Sequence, residues 1–262
     1  MKSQLLKKLK QMVSPYKQPL VYVKHKLYPR QTYSQHGEDI VIQHLLGKIE
    51  SFIDIGANDG ISCSNTFLFA LAGAKGLCFE PVSYTFSRLS SLYLFNRQIK
   101  CIKSGISNKN RELTIRSEGL LSYITETQDP WGRKNLSQFM SNREDFEEIK
   151  VTTLMNWLNC YPEFYQCDLV SLDIEGHELQ ALQGIDFDKF HTKCFIIETM
   201  EDKHHQFQAI NSLLKDKGYQ ILIQNCLNTF WFYKDVFDVM GHEKLRETCK
   251  TFKGYQIFIS DN

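Results

Sequence analysis

The residues that could do chemistry in this sequence are carboxylates placed where short apolar runs end. The stretch "FIDIGANDG" ends an apolar run with Asp54 and continues with Gly56 and Gly60. Glycine lets the backbone approach a ligand closely, and a helix that follows such a turn offers free N–H groups. Asp54 could accept a hydrogen bond from the cationic amino group of an amino-acid-like ligand. Alternatively, Asp54 only caps a tight turn between a strand and a helix.

A second carboxylate follows the next apolar run. The stretch "CFEP" places Glu80 about twenty-five residues after Asp54, a spacing at which an acid accepts the hydroxyls of a ribose. Asn58 stands where a dinucleotide-binding turn has its middle glycine, and the phosphate-binding pattern G-x-x-x-x-G-K-[ST] does not occur in the chain. These residues predict a site for a nucleoside with a charged tail and no phosphate. S-adenosylmethionine is the ligand of that kind that fits best.

A third group of charged residues lies in "SLDIEGHE". Asp173, Glu175, His177 and Glu178 crowd the end of one apolar run and the start of a helix, and Glu198 ends the next run. Asp173, Glu175 and Glu198 could hold a divalent metal, Mg²⁺ or Mn²⁺ rather than Zn²⁺, or they could act as general bases. Alternatively, the acids only complement the helix dipole and the histidine is a surface residue. The spacing leaves these roles open.

Strand-like and helix-like runs that alternate from residue 35 onwards must position these side chains. The alternation predicts an α/β fold with a mostly parallel sheet and helices on both faces. At its end, "TFWFYK" and "YQIFIS" are predicted to form a C-terminal antiparallel hairpin. Ligands of such sheets bind beyond the carboxyl ends of the strands, where the carboxylates are placed. Residues 117–150 are polar and aperiodic, which predicts an irregular insertion that acts as a lid, a binding loop or a disordered segment.

Length and composition predict a single domain, residues 34–262, preceded by a basic extension, residues 1–33. The 262 residues are 42% hydrophobic, which suits one full core. A formal net charge of +1 gives no global field for DNA or another long polyanion. Eight scattered cysteines without a C-x-x-C pair indicate a reducing compartment. Since no apolar run approaches about 18 residues and no secretory leader pattern is present, we expect a cytoplasmic protein.

The first thirty residues carry Lys and Arg but no acid, and apolar residues recur there at helical spacing. A basic amphipathic helix of this kind could lie on an anionic membrane surface, where a lipid-linked substrate would be found. Alternatively, the helix is solvated and covers part of the domain or a neighbouring subunit.

Seven stretches of the chain resemble the FkbM-type methyltransferase family, in the family's order, between residues 34 and 199. They are "SQHGEDIVI", "FIDIGANDGISCSNT", "GLCFEP", "CIKSGISNKN", "VTTLMNWL", "DLVSLDIEGHELQALQG" and "IIE". The resemblance implies a Rossmann-like, class I methyltransferase fold, which the five parallel strands and terminal antiparallel pair also match. It further implies O-methylation with S-adenosylmethionine of a hydroxyl of a sugar, a surface polysaccharide or a related metabolite.

The resemblance also implies roles for single residues. On the matching positions, Asp54, Gly56, Asn58 and Gly60 would hold the methionine part of the cofactor, and Glu80 would hold the ribose. The family often has a Trp where this chain has Lys75, and the region after residue 199 matches only in its helix and strand rhythm. These departures bear on the acceptor more than on the cofactor.

Further contacts follow from the same matches. Ser104 and Asp173 fall at the adenine side and the acceptor side of the site. Gln35 and Glu38, together with Asp39, could close over the cofactor. Alternatively, this segment only begins a helix with acids in its first turn.

Asp173, His177 and Glu198 are the candidates for catalysis. Alignment of the reacting atoms supplies most of the acceleration of methyl transfer, and a base adds about 10²–10⁴-fold for a hydroxyl acceptor. The expected partner is a small-molecule or glycan acceptor. Two other functions stay open: a non-catalytic module that binds the nucleoside and a glycan, and an RNA 2′-O-methyltransferase assisted by the basic N-terminus.

Overall fold

The computed structural model describes residues 17–116, 123–124, 146–199 and 204–258. The strands are β1 (Ser51–Ile55), β2 (Lys75–Phe79), β3 (Ile99–Ile102), β4 (Gly105–Ile106), β5 (Arg111–Arg116), β6 (Tyr123–Ile124), β7 (Phe146–Thr152), β8 (Gln166–Leu172), β9 (His191–Glu198), β10 (Tyr219–Gln224), β11 (Asn228–Tyr233) and β12 (Gln256–Ile257). The helices are α1 (17–27), α2 (Glu38–Leu46), α3 (Phe67–Ala72), α4 (Ser83–Leu92), α5 (Leu154–Leu158), α6 (Glu178–Gln183), α7 (His204–Asp216) and α8 (Lys234–Thr251).

Eight of these strands form a large sheet in the order β3-β2-β1-β8-β9-β11-β10-β12. From β3 to β9 each strand is parallel to its neighbours, whereas β11 is antiparallel to both β9 and β10. The chain moves outward from β1 through β2 and β3 and then returns to β8 on the other side of β1. The strand order therefore reverses between β1 and β8, where open α/β sheets bind their ligands. The expected α/β fold with a mostly parallel sheet is confirmed.

The two central strands are buried on both faces. Phe52 and Leu169 are in register and pack into one hydrophobic core, whereas Ile53 and Val170 pack into a second core on the opposite face. All four side chains are inaccessible to solvent. A parallel strand that is covered on both faces needs such a continuous apolar run. The buried polar residues of these two strands are Asp54 in β1 and Asp168 and Ser171 in β8.

The C-terminal strands pair differently from the sequence prediction. "TFWFYK" and "YQIFIS" do not pair with each other, because β11 lies between β9 and β10, and β12 pairs with β10. The antiparallel pair is therefore β10 with β11, and α8, which the sequence analysis missed, separates β11 from β12. The residues Phe230, Trp231 and Phe232 are all fully buried, so β11 has the continuous apolar run of an interior strand.

A small sheet of the order β4-β7-β5-β6 adjoins the large one. The predicted strand "IKCIKSGI" is divided between the sheets, with β3 in the large sheet and β4 in the small one. Strand β7 starts at Phe146, so the last part of the predicted irregular insertion is a strand that pairs antiparallel with β5. The rest of that insertion, apart from β6, lies outside the described residues.

The described part of the N-terminal extension packs on the domain through α1. The ring of Tyr22 lies 6.1 Å from that of Phe67 and 5.9 Å from that of Tyr93, measured between centroids. His25 is also buried and contacts Phe67. The lysines of residues 1–16 lie outside the described part of the chain. Within the described part, no helix combines the length and the hydropathy that a bilayer span requires.

Asp168 joins three segments at the end of the sheet opposite the strand ends that carry the carboxylates. Its Oδ2 accepts the backbone N–H groups of Glu50 and Ser51, at 2.6 and 3.1 Å, at the start of β1. Its Oδ1 lies 2.7 Å from the Lys193 ammonium of β9. Because the carboxylate is 8% exposed, removing it would leave two backbone donors without a partner in a largely dry environment.

We expect Asp168→Ala to lower the free energy of unfolding by about 2–4 kcal/mol in urea denaturation. Glu50→Gln is the control, because it removes only the 2.9 Å pair between two exposed side chains, Lys48 and Glu50, and should cost less than about 0.5 kcal/mol. Equal midpoints for the two variants would contradict a structural role for Asp168.

Candidate active site

A cavity of about 480 Å³ lies at the carboxyl ends of β1, β2, β8 and β9. Asp54 and Glu80 both line it, from neighbouring strand ends. Among the described residues, no Lys, Arg or His forms an ion pair with either carboxylate. The cavity therefore contains two acids that protein cations do not neutralise.

Asp54 is buried and accepts one short hydrogen bond, 2.5 Å from the Thr66 hydroxyl at the start of α3. Burial raises the pKa of Asp54 to about 6, against which the Thr66 hydroxyl acts. The other oxygen of the carboxylate has no donor among the hydrogen bonds of the described residues. It can accept a hydrogen bond from a ligand.

Glu80 is held by backbone N–H groups on both of its oxygens. Asn58 N donates to Oε2 at 3.0 Å, and Val82 N donates to Oε1 at 2.8 Å. Burial nevertheless raises the pKa of Glu80 to about 7. Asn58 reaches this bond with a left-handed φ of 50°, a backbone conformation that Asn tolerates better than most residues. The turn after β1 thus orients the acid at the end of β2.

Asp59, five residues after Asp54, is a structural acid whose pKa and donors differ from those of Asp54 and Glu80. Burial alone would raise the pKa of Asp59, but backbone N–H groups of Ser62 and Ile61 and the Arg88 guanidinium outweigh this effect and lower it. Arg88 lies 2.7 Å from Asp59. Among the described residues, Asp54 and Glu80 form no such ion pair, and this separates them from Asp59.

The two glycines of the turn serve chain packing. A Cβ on Gly56 would lie 1.8 Å from the backbone oxygen of Asp173, so Gly56 lets the end of β1 approach the end of β8. A Cβ on Gly60 would lie 2.8 Å from Leu89 and from Leu92, so Gly60 lets the turn approach α4. Both glycines have a positive φ. Gly56 lines the cavity but Gly60 does not, so Gly60 could act on a ligand only through the path of the turn.

Three further carboxylates meet at one rim of the cavity. One oxygen from each of Asp173, Glu175 and Glu198 lies within 4.8 Å of the others, a distance at which the three could share a cation. Asp173 is exposed, so the cavity opens to solvent on this side.

The loop after β8 carries part of this rim. Glu175 in that loop has a φ of 55°, an unfavourable conformation for a non-glycine residue. The buried Glu178 supports the loop, since its Oε1 accepts N–H groups of Ile174 and Gly176.

His177 lines the cavity and is 2% exposed, unlike a surface histidine. Its Nε2 lies 3.0 Å from the hydroxyl of the fully buried Ser107. Its Nδ1 is buried and has no hydrogen-bond partner among the described residues. Burial, with the charge of Arg111, lowers the pKa of His177 to about 4. The imidazole is therefore neutral at physiological pH and a weaker base than an ordinary histidine.

The segment before α2 contributes one residue to the cavity. Gln35 lines the cavity, whereas Glu38 does not. Glu38 is completely buried, and Asn225 and Asn228 both donate to its Oε1 at 2.8 Å. Asp39 is likewise bound by Thr32, Tyr33 and Ser34. These acids join α2 to its surroundings, because a buried carboxylate needs donors on its oxygens. Glu38, which the sequence analysis expected to close over the cofactor, therefore does not line the cavity.

Ser104 lines the cavity at the end of β3, next to residues that the sequence analysis missed. Ile115, Ile149 and Val151 of the small sheet form an apolar wall there. The alternation of charged and apolar residues in "EIKV" (148–151) was a usable signal for strand β7. Asn65 was also missed; it lines the cavity and donates to Ser171 at 3.1 Å.

The strand order is that of a class I methyltransferase fold, the fold that the sequence predicted. The family model of the methyltransferase FkbM domain matches residues 54–221. The chain belongs to the FkbM methyltransferase family, as its motifs predicted, and the family uses S-adenosylmethionine.

Solved structures of methyltransferases resemble this one distantly. The METTL16 MTase domain is 14% identical with a TM-score of 0.45, and the match covers 75% of this chain and 66% of that one, slightly less than two thirds. Precorrin-6y C5,15-methyltransferase from Geobacter metallireducens GS-15 is 9% identical with a TM-score of 0.42, covering 78% of this chain and 92% of that one. No curated protein sequence matches the chain.

The cavity residues fit S-adenosylmethionine. The cofactor carries a cationic amino group and a ribose diol, and two buried acids, Asp54 and Glu80, face the cavity without an ion pair to any described residue. The apolar wall of the small sheet suits a planar base, which is buried best against apolar surface. Which of these side chains contacts which part of the cofactor remains a prediction.

We expect Asp54→Asn to stabilise the cofactor-free protein at pH 8 and to weaken cofactor binding at least about tenfold. The pKa of Asp54 rises from 3.8 to about 6 on folding, so the folded chain binds this proton more tightly. The stability that protonation contributes is fully present below pH 3.8 and is lost as the pH rises through about 6. Asn keeps the acceptor for Thr66 without the charge, and the gain at pH 8 should be about 1–3 kcal/mol.

Urea denaturation at pH 8 and pH 4, with calorimetric titration of S-adenosylmethionine at pH 8, measures both effects. Asp188→Asn, an exposed acid, is the control and should change neither quantity. A gain in stability that persists unchanged at pH 4, or unaltered cofactor affinity, would contradict the assignment.

Proposed function

We propose that this protein is an S-adenosylmethionine-dependent O-methyltransferase that acts on a hydroxyl of a sugar, a surface polysaccharide or a related metabolite. The observation that carries the proposal is the rim of Asp173, Glu175 and Glu198 on the same cavity as Asp54 and Glu80. A hydroxyl must lose its proton as the new bond forms, and a carboxylate beside it can accept that proton. Carboxylates also bind the hydroxyls of a neutral, polar acceptor directly.

The cofactor supplies an electrophilic methyl group on a sulfonium when it is bound. The chain then needs to hold the acceptor oxygen in line with that group and to exclude water. Asp54 and Glu80 fix the cofactor side, while the rim fixes the acceptor side. Both sides are set by the ends of adjacent strands in one sheet, so their separation is rigid.

Asp173 is the candidate that we assign as the general base. It follows β8, which pairs with β1, and its side chain is exposed to an acceptor. Glu198 is buried at the end of β9 and suits a role in orienting the acceptor. His177 is the weakest of the three candidates, because its pKa near 4 and its bond to Ser107 oppose proton uptake near neutral pH.

The other functions that the sequence left open receive less support. Three carboxylates at the open rim would repel the phosphates of an RNA acceptor, so 2′-O-methylation of RNA is disfavoured. A non-catalytic binding module has no need of a base at this position. A cytoplasmic location remains a prediction.

We expect Asp173→Asn to reduce the rate of methyl transfer by about 10²–10⁴-fold while the affinity for S-adenosylmethionine changes less than about threefold. The close contact with Gly56 involves the backbone oxygen of Asp173, so the substitution leaves it intact. Transfer of a tritiated methyl group to a panel of monosaccharides and oligosaccharides measures the rate, and calorimetry measures the affinity.

Asp188→Asn again provides the control for a change of charge on the surface. Full turnover by the Asp173 variant would exclude it as the base. Transfer to RNA but to no glycan would overturn the proposed acceptor class while leaving the cofactor site untouched.

A divalent metal at the rim also remains a prediction, and the three acids make it testable. If the site holds a cation, Mn²⁺ should bind once per chain in electron paramagnetic resonance, and Glu198→Gln should weaken binding at least about tenfold. Glu148→Gln, on an exposed position of β7, is the control. Indistinguishable binding curves for the wild type and the Glu198 variant would exclude this site.

A further inference from the structure

The outer face of α1 is apolar although nothing in the described structure covers it. Leu20, Val23 and Leu27 are 72%, 45% and 67% exposed. They recur at three- and four-residue spacing and therefore share one side of the helix. The opposite side carries Gln18 and His25, which are buried, and Tyr22. An amphipathic helix that packs on its domain normally exposes polar residues, so this outer face requires an explanation.

The position of α1 is fixed by its inner face. Tyr22 packs on Phe67 and Tyr93, and Asn96 donates to the Tyr22 hydroxyl at 2.9 Å. The ammonium group of Lys26 also donates to the backbone oxygen of Leu71. Rotation of the helix would break these contacts. The apolar outer face is therefore presented to the surroundings by the fold.

A second apolar element is held beside α1. Leu94 and Phe95 are 63% and 74% exposed, and they lie between Tyr93 and Asn96, both of which contact Tyr22. With Tyr28, these two segments contain six of the nine large hydrophobic side chains that are exposed in the described residues. Such a concentration marks an interaction surface.

The charge around this surface is one-sided. The first 37 residues hold eight of the chain's 31 Lys and Arg and none of its 30 Asp and Glu. Lys17, Lys24 and Arg30 are exposed on or next to α1, and Arg97 is exposed next to Phe95. The protein as a whole has a net charge of only +1, so this part of the sequence is far more cationic than the rest of the chain.

We propose that the outer face of α1, together with Leu94 and Phe95, docks on an anionic lipid bilayer. The apolar side chains would enter the boundary between headgroups and acyl chains, while the Lys and Arg side chains would contact anionic headgroups. A second copy of this chain is a poorer occupant, because it would place the same cationic segment against itself. RNA would match the charge but would leave the apolar row exposed.

The surface can be altered without touching the candidate active site. Helix α1 contacts Phe67, the neighbour of the Thr66 that binds Asp54, through Tyr22 and His25 of its inner face. Leu20, Val23 and Leu27 point the other way. The proposal does not depend on the acceptor class, so the two can fail separately.

The experiment is flotation of the full chain with vesicles of phosphatidylcholine containing about 30% phosphatidylglycerol, compared with vesicles of phosphatidylcholine alone. We expect the anionic vesicles to bind at least about tenfold more tightly, with binding weakened by added salt. The variant Leu20→Gln/Val23→Gln/Leu27→Gln should lose at least about tenfold in affinity for them. Val239→Gln, on an apolar residue of α8 that is 89% exposed, is the control and should bind as the wild type does.

Melting temperatures show whether the variants fold. If the triple variant does not fold, the double variant Leu94→Gln/Phe95→Gln replaces it and should also weaken binding. Wild-type affinity of a folded variant, or equal binding to both kinds of vesicle, would overturn the proposal. Sedimentation equilibrium provides the remaining test. A dimer that the triple variant converts to a monomer would show that the surface is instead an interface between two copies of the chain.

Discussion

The structure depends on two carboxylates that are buried at neighbouring strand ends and that form no ion pair within the described part of the chain. Asp54 and Glu80 have pKa values raised to about 6 and about 7 by burial, so their charged forms are unfavourable in the cofactor-free protein. The sheet has to supply the free energy that keeps them there, and the fully buried apolar runs of β1 and β8 do so. A cationic ligand that bears hydroxyls recovers part of that energy on binding. The cavity is therefore preorganised for such a ligand.

The other buried acids of the chain show that this arrangement is specific. Glu38 receives three hydrogen bonds, from His36, Asn225 and Asn228, and Asp168 receives two backbone N–H groups and an ammonium. Asp59 has Arg88. Burial of an acid is common to all of them, whereas Asp54, which lines the cavity, accepts one side-chain hydrogen bond among the described residues. A binding acid therefore differs from a structural acid in the number and charge of the donors around its carboxylate, more than in how deeply it is buried.

Local sequence patterns predicted the acids at the strand ends, because each of these residues follows directly from the apolar run before it. An apolar run that ends in an acid defines a strand and its carboxyl end, which placed Asp54, Glu80, Asp173 and Glu198 on one edge of one sheet. The same patterns could not show that Glu38 is structural, because its partners lie 187 and 190 residues further along the chain. They also could not show that β11 inserts between β9 and β10, since the strand order follows from pairing across the whole sheet. The apolar wall of Ile115, Ile149 and Val151 was missed because it comes from a second sheet.

The two halves of the cavity differ in the kind of structure that builds them. The half that we assign to the cofactor rests on strand ends and on a turn in which Gly56 lies against the backbone of Asp173, so few substitutions are compatible with it. The half that we assign to the acceptor rests on the loop after β8, where Glu175 has a positive φ. Loops tolerate changes of length and sequence that buried strands do not. A change of acceptor can therefore arise in the second half without loss of the first, which explains why the family motifs identify the cofactor more firmly than the acceptor.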